Sequence, residues 1–148
     1  MKKILIVAAA LVAAYVLLTY RQPPTVEDRN ASISEPSDGN GVIAQAFENR
    51  RSDFQVSGIG TVIKLLADDN RGSRHQRFLI KLASDQTLLI AHNIDLAPKI
   101  RSLKVGDEVR FFGEYEWNEK GGVIHWTHHD PDGSHVDGWL EHDGKRFQ

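Results

Sequence analysis

The segment Glu108–Trp117 constrains this chain more than any other. Val109, Phe111, Gly113, Tyr115 and Trp117 alternate with Glu108, Arg110, Phe112, Glu114 and Glu116, a period of two that puts one set on a buried face and the other on a wetter one. A helix would scatter both sets around its axis. The residues around this strand read as more short strands separated by turns. Gln55–Ala67 carries Ile59, Thr61, Ile63 and Leu65 on one face, with Gly58 and Gly60 predicting a bend or bulge. Asp68–Gly72 is a turn. Gln76–Ala83 alternates with Phe78, Ile80 and Leu82 on one side, Ser84-Asp85 turns the chain, and Thr87–His92 follows. Asn118–Gly122 reads as a hairpin turn leading to a fifth strand over Val123–His128.

Two helices are expected. Val42, Ile43, Ala46 and Phe47 share one helical face and predict a helix from Val42 to Arg51 with Asn40 as its cap. A second helix is expected over Ile94–Leu103, capped by Asp95, with Pro98 tolerated in its first turn. The domain order is then strand, strand, strand, helix, strand, strand. That is the order of an OB-fold, a small five-stranded barrel with its helix between strands three and four. An SH3-like barrel or an open β-roll is the alternative. A barrel also removes the exposed edges that so many short strands would leave.

The first forty residues are of a different kind. Lys2 and Lys3 precede an apolar run over residues 4–20, about 25 Å long as a helix against a hydrocarbon core of about 30 Å. This is the pattern of a signal anchor or a signal peptide. Thr19, Tyr20, Arg21 and Gln22 offer no small-x-small cleavage site, which favours an uncleaved anchor over a secreted product. The two lysines stay in the cytoplasm and the remainder is exported, to face the periplasm or another extracytoplasmic space. Residues 21–41, rich in Pro, Ser, Asn and Gly without a period, read as a flexible tether. The 148 residues therefore divide into 1–20, 21–41 and one domain over 42–148.

Composition narrows the function classes. Lys and Arg total 18 against 20 Asp and Glu, a formal charge of -2, so a broadly basic nucleic-acid binder is disfavoured. No cysteine is present, which excludes a disulfide scaffold, a thiolate metal centre and a cysteine nucleophile. Five of the 7 histidines lie between His125 and His142. In HWTHHDPDGSHVDGW, residues 125–139, Asp130-Pro131-Asp132-Gly133 fits a type I turn. Regular pairing across it sets Ser134 opposite His129 and His135 opposite His128. His128 and His135 then grip one divalent ion such as zinc, with Asp130 as a third ligand or an orienting group. A polar pocket without metal and a purely structural role are the other readings, because the spacing fits no standard zinc motif. His75, Gln76, Arg77, His92 and Asn93 are expected to border a groove that this segment closes, with His125 and Trp126 on its wall. Arg71, Arg74 and Arg77 form a basic patch suited to an anionic group, or one simply paired with Asp68 and Asp69.

The stretches GSRHQRFLIKL, LLIAHNIDLAP, GEYEWNEKGGVIHWTHHDP and GSHVDGW resemble a bacterial family catalogued as a domain of unknown function, family 3465. The resemblance covers about residues 42–148 and rests above all on HWTHHDP. It implies a small exported β domain of OB-like form. It supplies no activity and assigns no catalytic residue.

Three functions remain open from sequence. One is a tethered binding module for a polar or anionic ligand, with Arg74 and Arg77 giving charge and Phe112, Trp117 and Trp126 giving stacking faces. A second is a metal-dependent phosphodiesterase-like hydrolase, with His75 or His92 as the acid–base group and Asp130 beside the metal. The third is a structural envelope module in which the histidines only brace the fold.

Overall fold

The computed structural model describes residues 39–148. The expected anchor and most of the tether lie outside the described residues. Among those described, no helix is long and apolar enough to cross a membrane. One helix, α1 (Asn40–Glu48), precedes seven strands: β1 (Phe54–Leu65), β2 (His75–Lys81), β3 (Thr87–Asn93), β4 (Glu108–Glu116), β5 (Val123–His125), β6 (Trp139–His142) and β7 (Lys145–Phe147).

The sheet runs in the order β1-β2-β3-β5-β4, and β1 pairs with β4 as well. The first five strands therefore close into a barrel with no free edge of their own. All the barrel pairings are antiparallel except β3 with β5. Its interior holds Val56, Val62, Phe78, Ile80, Leu88, Ile90, Val109, Phe111, Tyr115 and Ile124, all buried. The alternation in β4 is as expected, with Val109, Phe111 and Tyr115 inside. In β1 it is inverted. Val56 and Val62 face the core while Ile63 and Leu65 are exposed. β1 carries apolar residues on both faces, so period two cannot say which face is buried. The register shift lies between Val62 and Lys64 and leaves Ile63 unpaired, away from the two glycines.

α1 is docked by side chains. Ile43 and Ala46 join the core. The expected cap, Asn40, is the first helical residue instead, and its amide bonds both backbone groups of Ile59 on β1. Trp117 stacks on Phe47 with ring centroids 6.4 Å apart and donates its indole N–H to the Phe47 carbonyl at 3.0 Å. Gly41 is exposed near the start of the helix, with nothing within 4 Å of a Cβ added there. Gly41→Ala is expected to stabilise the chain by about 0.5–1 kcal/mol, because it removes unfolded-state freedom without a clash. Thermal denaturation of the full-length protein checks this; a lower midpoint would contradict it.

The helix expected over Ile94–Leu103 does not form; the segment is a chain of turns. Its backbone groups are satisfied from outside. The buried Gln76 on β2 accepts from the Ile100 N–H at 2.8 Å and donates to the Ile100 carbonyl at 2.9 Å. The Pro98 carbonyl accepts from the His92 ring at 3.2 Å. Asp95 caps nothing: its carboxylate takes the Arg74 N–H and guanidinium, while its own N–H bonds Asn93 Oδ1. Ala97, Ile100 and Leu103 are still buried, so the spacing that predicted a helix reports core filling by an irregular segment.

The fifth strand is shorter than expected, ending at His125, and a terminal hairpin is added. β6 pairs with β4 through Arg110↔Glu141, Phe111↔Leu140 and Phe112↔Trp139, and β7 pairs with β6. β5 and β6 thus share one edge of β4 end to end. The hairpin turns at Asp143-Gly144, both at positive φ (51° and 71°), as a two-residue Asp-Gly turn requires. Residues 126–138 form the excursion between β5 and β6. Its neck is tight. A Cβ on Gly138 would lie 1.9 Å from the Trp126 carbonyl oxygen, and one on Gly113 would lie 2.5 Å from that of His125.

Candidate functional site

The hairpin turn of Asn118–Gly122 sets the register that builds the site. It places Glu114 opposite His125 and Glu116 opposite Val123. On the other side of β4, Gln55 of β1 is the partner of Glu114. Directly opposed residues share a face, so Gln55, Glu114 and His125 form a row across the outer wall of the barrel, with Glu116 two positions along. His125 Nε2 lies 3.4 Å from Glu114 Oε1 and 3.7 Å from Glu116 Oε2. Neither approach is aligned as a hydrogen bond. His125 Nε2 and Gln55 Oε1 are buried side-chain atoms with no hydrogen-bond partner.

The 126–138 loop lays a fourth ionisable group against this row. Its organiser is Asp130, whose carboxylate accepts from the backbone N–H of Asp132 (3.2 Å), Ser134 (2.7 Å) and His135 (2.7 Å) and from the Ser134 hydroxyl (3.1 Å). These bonds, led by that of His135, hold the Asp130 pKa below the ordinary carboxylate value. The expected type I turn is present, with Gly133 N–H on the Asp130 carbonyl at 3.2 Å. The expected ladder beyond it is absent. Asp130 has taken the N–H groups that Ser134 and His135 would have offered to a strand, and the His128 carbonyl accepts from Gly138 instead, at 2.8 Å.

So held, His135 donates from Nδ1 to the Val136 carbonyl at 2.9 Å and meets Glu114 Oε2 at 2.7 Å through Nε2. Burial opposes its charge, but the Glu114 contact and the Val136 bond together outweigh that, and its pKa is raised. Its ring stacks on Trp126 at 4.0 Å with an interplanar angle of 9°. Trp126 sits at φ 51°, a costly conformation for a bulky aromatic. Gln55 Nε2 donates to the Val136 carbonyl at 3.3 Å, tying the loop to β1 over the same row. Glu114 is the hinge of the arrangement, one oxygen toward His125 and the other on His135.

Other residues singled out from sequence lie elsewhere. His128 is buried, with Nδ1 on the His129 carbonyl at 2.8 Å, and its ring is 5.3 Å from Trp126. His129 is exposed and pairs with Asp137 at 2.7 Å. The β2–β3 group is split by strand alternation. Gln76 and His92, partners in the register, are buried, whereas His75, Arg77 and Asn93 occupy the opposite face. His92 has no exposed surface; it contacts Thr127 Oγ1 at 2.9 Å and the Pro98 carbonyl at 3.2 Å, and burial drives its pKa down to about 4. His75 Nδ1 bonds the Ser73 carbonyl. The arginines are paired: Arg71 and Arg77 with Asp69, Arg74 with Asp95 at 2.6 Å. The proposed stacking faces are also engaged, Phe112 with Trp139, Trp117 with Phe47 and Trp126 with His135.

Glu114, Glu116 and Gln55 are the residues that reading the histidine segment alone does not find. Counting back from the Asn118–Gly122 turn pairs His125 with Glu114, so that part of the signal is local.

No curated protein matches the chain. The family model described as protein of unknown function (DUF3465) matches residues 30–148, a span that holds the whole barrel and the histidine loop, and the chain belongs to that family.

Proposed function

We propose that this chain is an envelope-tethered binding module on an OB-type barrel, with its ligand seat in the polar seam beneath the 126–138 loop, and that the seat takes a cationic or hydrogen-bonding group. The OB reading is supported by β1 pairing with both β2 and β4 and by the parallel β3–β5 pair. It stands without the helix between β3 and β4 and with an added terminal hairpin. The tether reading rests on Lys2, Lys3 and the apolar run of residues 4–20, which would hold the domain in the periplasm or another extracytoplasmic space.

The observation that carries the seat is the pair of orphaned atoms, Gln55 Oε1 and His125 Nε2, flanking Glu114 on either side of β4. A buried polar atom without a partner costs free energy, and a ligand group in the seam would offset that cost. Charge decides its sign. Glu114 and Glu116 make the seam acidic, while the arginines that would attract a phosphate are already paired with aspartates.

The test is a titration of the full-length chain in neutral detergent micelles, followed by NMR of the three tryptophan indoles. Zinc chloride, spermidine, a muropeptide and oligo-dT are the probes. At least one of the first three is expected to shift the Trp126 indole and leave Trp117 in place. An unmoved Trp126 with all three, or oligo-dT binding that falls steeply with salt, would overturn the reading.

A further inference from the structure

We infer that the seat is a transition-metal site in which Glu114, Glu116 and His125 bind one divalent ion of the zinc type and His135 positions Glu114 from behind. This rests on the seam beneath the 126–138 loop being the ligand seat and names what it takes. The three residues each offer a ligand atom, and these atoms all lie within 4.8 Å of one another. Zinc–ligand bonds of about 2.0 Å in a tetrahedron put donor atoms about 3.3 Å apart. His125 Nε2 stands 3.4 Å from Glu114 Oε1 and 3.7 Å from Glu116 Oε2. Small rotations of the half-exposed Glu116 side chain complete such a geometry.

His125 Nε2, which has no hydrogen-bond partner, points the same way. It is buried, faces two carboxylate oxygens and bonds neither. A neutral imidazole carrying its proton on Nδ1 has a lone pair at that atom, which suits a metal and cannot bond a carboxylate. Glu114 is divided in the way a ligand carboxylate is. Oε1 faces His125, while Oε2 is 2.7 Å from His135 Nε2. Partners behind a ligand fix its orientation and tune its affinity. Asp130 holds the His135 backbone and Trp126 stacks on its ring, so the loop sets Glu114 in place through His135.

The donor set also sets selectivity. One imidazole and two carboxylates suit zinc and its first-row neighbours. Calcium and magnesium prefer all-oxygen shells, calcium with six to eight donors and magnesium with an octahedron largely of water, so the imidazole of His125 favours neither. Three protein ligands leave a position for water or a ligand atom, as in zinc sites that act on or recognise a further molecule.

The experiment uses the full-length chain in detergent, stripped by chelator, with the metal alone as probe. Zinc chloride is followed by calorimetry and cobalt(II) by visible absorption, which reports the coordination directly. One ion per chain is expected. His125→Ala and Glu116→Gln should each weaken zinc at least tenfold. His135→Gln should weaken it while keeping one ion per chain and altering the cobalt spectrum. His129→Ala should change nothing, and excess magnesium or calcium should not compete. Glu116→Gln is near-isosteric and half-exposed, so it keeps the test meaningful if His125→Ala folds poorly by far-UV circular dichroism. Equal zinc affinity in wild type and both ligand variants would mean an adventitious histidine site, and no binding by folded wild type would mean no site; either overturns the inference. If zinc fails while spermidine or the muropeptide still moves Trp126, the metal falls and the seat stands; if nothing moves Trp126, both fall.

Discussion

Between pH 6.5 and pH 4 the protein is expected to lose about 3 kcal/mol of folding stability through His92 alone. The ring is buried with no exposed surface, and burial lowers its pKa from 6.5 to about 4, with His128 and His75 adding like-charge repulsion. The Pro98 carbonyl can only accept, so Nε2 carries the proton and Nδ1 accepts from the Thr127 hydroxyl. The unfolded ring protonates near pH 6.5 and the folded ring only near 4, so in that window the unfolded state binds more protons and stability is lost as the pH is lowered. A difference of about 2.5 units at about 1.4 kcal/mol each gives the magnitude. Other shifts lie outside the window. His135, with its raised pKa, has gained its full contribution once the pH is below 6.5. Asp107, Asp130 and Asp137, with lowered pKa values, lose theirs as pH falls below about 4. Denaturant unfolding of the full-length chain at pH 7, 5.5 and 4.5 reads the slope. His92→Gln, which removes the titrating ring, should be less stable at pH 7 and lose less stability than wild type across the window. An equal slope in both proteins would place the titration elsewhere.

Gln76→Leu is expected to destabilise the fold by about 3 kcal/mol with little change of side-chain volume. Gln76 is buried and satisfies both the N–H and the carbonyl of Ile100, itself 1% exposed. The leucine leaves two buried backbone groups without partners, each costing about 1–3 kcal/mol. Gln76→Glu both accepts from the Ile100 N–H and donates to its carbonyl only while protonated. Relative to Gln76→Leu it should therefore restore part of the loss below the carboxylate titration and forfeit it above, where a buried charge faces the carbonyl. Urea unfolding followed by tryptophan emission measures both. A loss below about 1 kcal/mol in Gln76→Leu would mean that residues 94–107 find other partners and are not held by this side chain.

The two predictions share a cause with the main departure from the expected fold. Ala97, Ile100 and Leu103 repeat with a helix-like spacing, and the spacing correctly reports that all three are buried. It does not report who takes the backbone hydrogen bonds. Here Gln76 and His92 take them from two strands more than five residues away, and Pro98 contributes no N–H of its own. A similar transfer explains the histidine loop. The Asp130-Pro131-Asp132-Gly133 turn is local and legible. The conversion of the expected ladder into a loop depends on the Asp130 carboxylate closing on Ser134 and His135.

What the amino-acid order determined unaided is the set of quantities that depend on near neighbours. These are the inward face of β4, the turns at Asn118–Gly122 and Asp130–Gly133, the short first helix, the closed five-strand count and the crowding of imidazoles late in the chain. The Asp143-Gly144 hairpin and the pairing of His125 with Glu114 belong to the same class, since both follow from a turn and its register. The rest came from tertiary structure. Which face of β1 is buried follows from its pairing with β2 and β4, because its apolar residues lie on both sides. The seating of Gln55 beside Glu114 joins positions 59 residues apart in number only because β1 closes the barrel against β4. Period and turn chemistry are short-range properties written into successive residues, whereas a site built across three strands exists only once distant segments exclude water together.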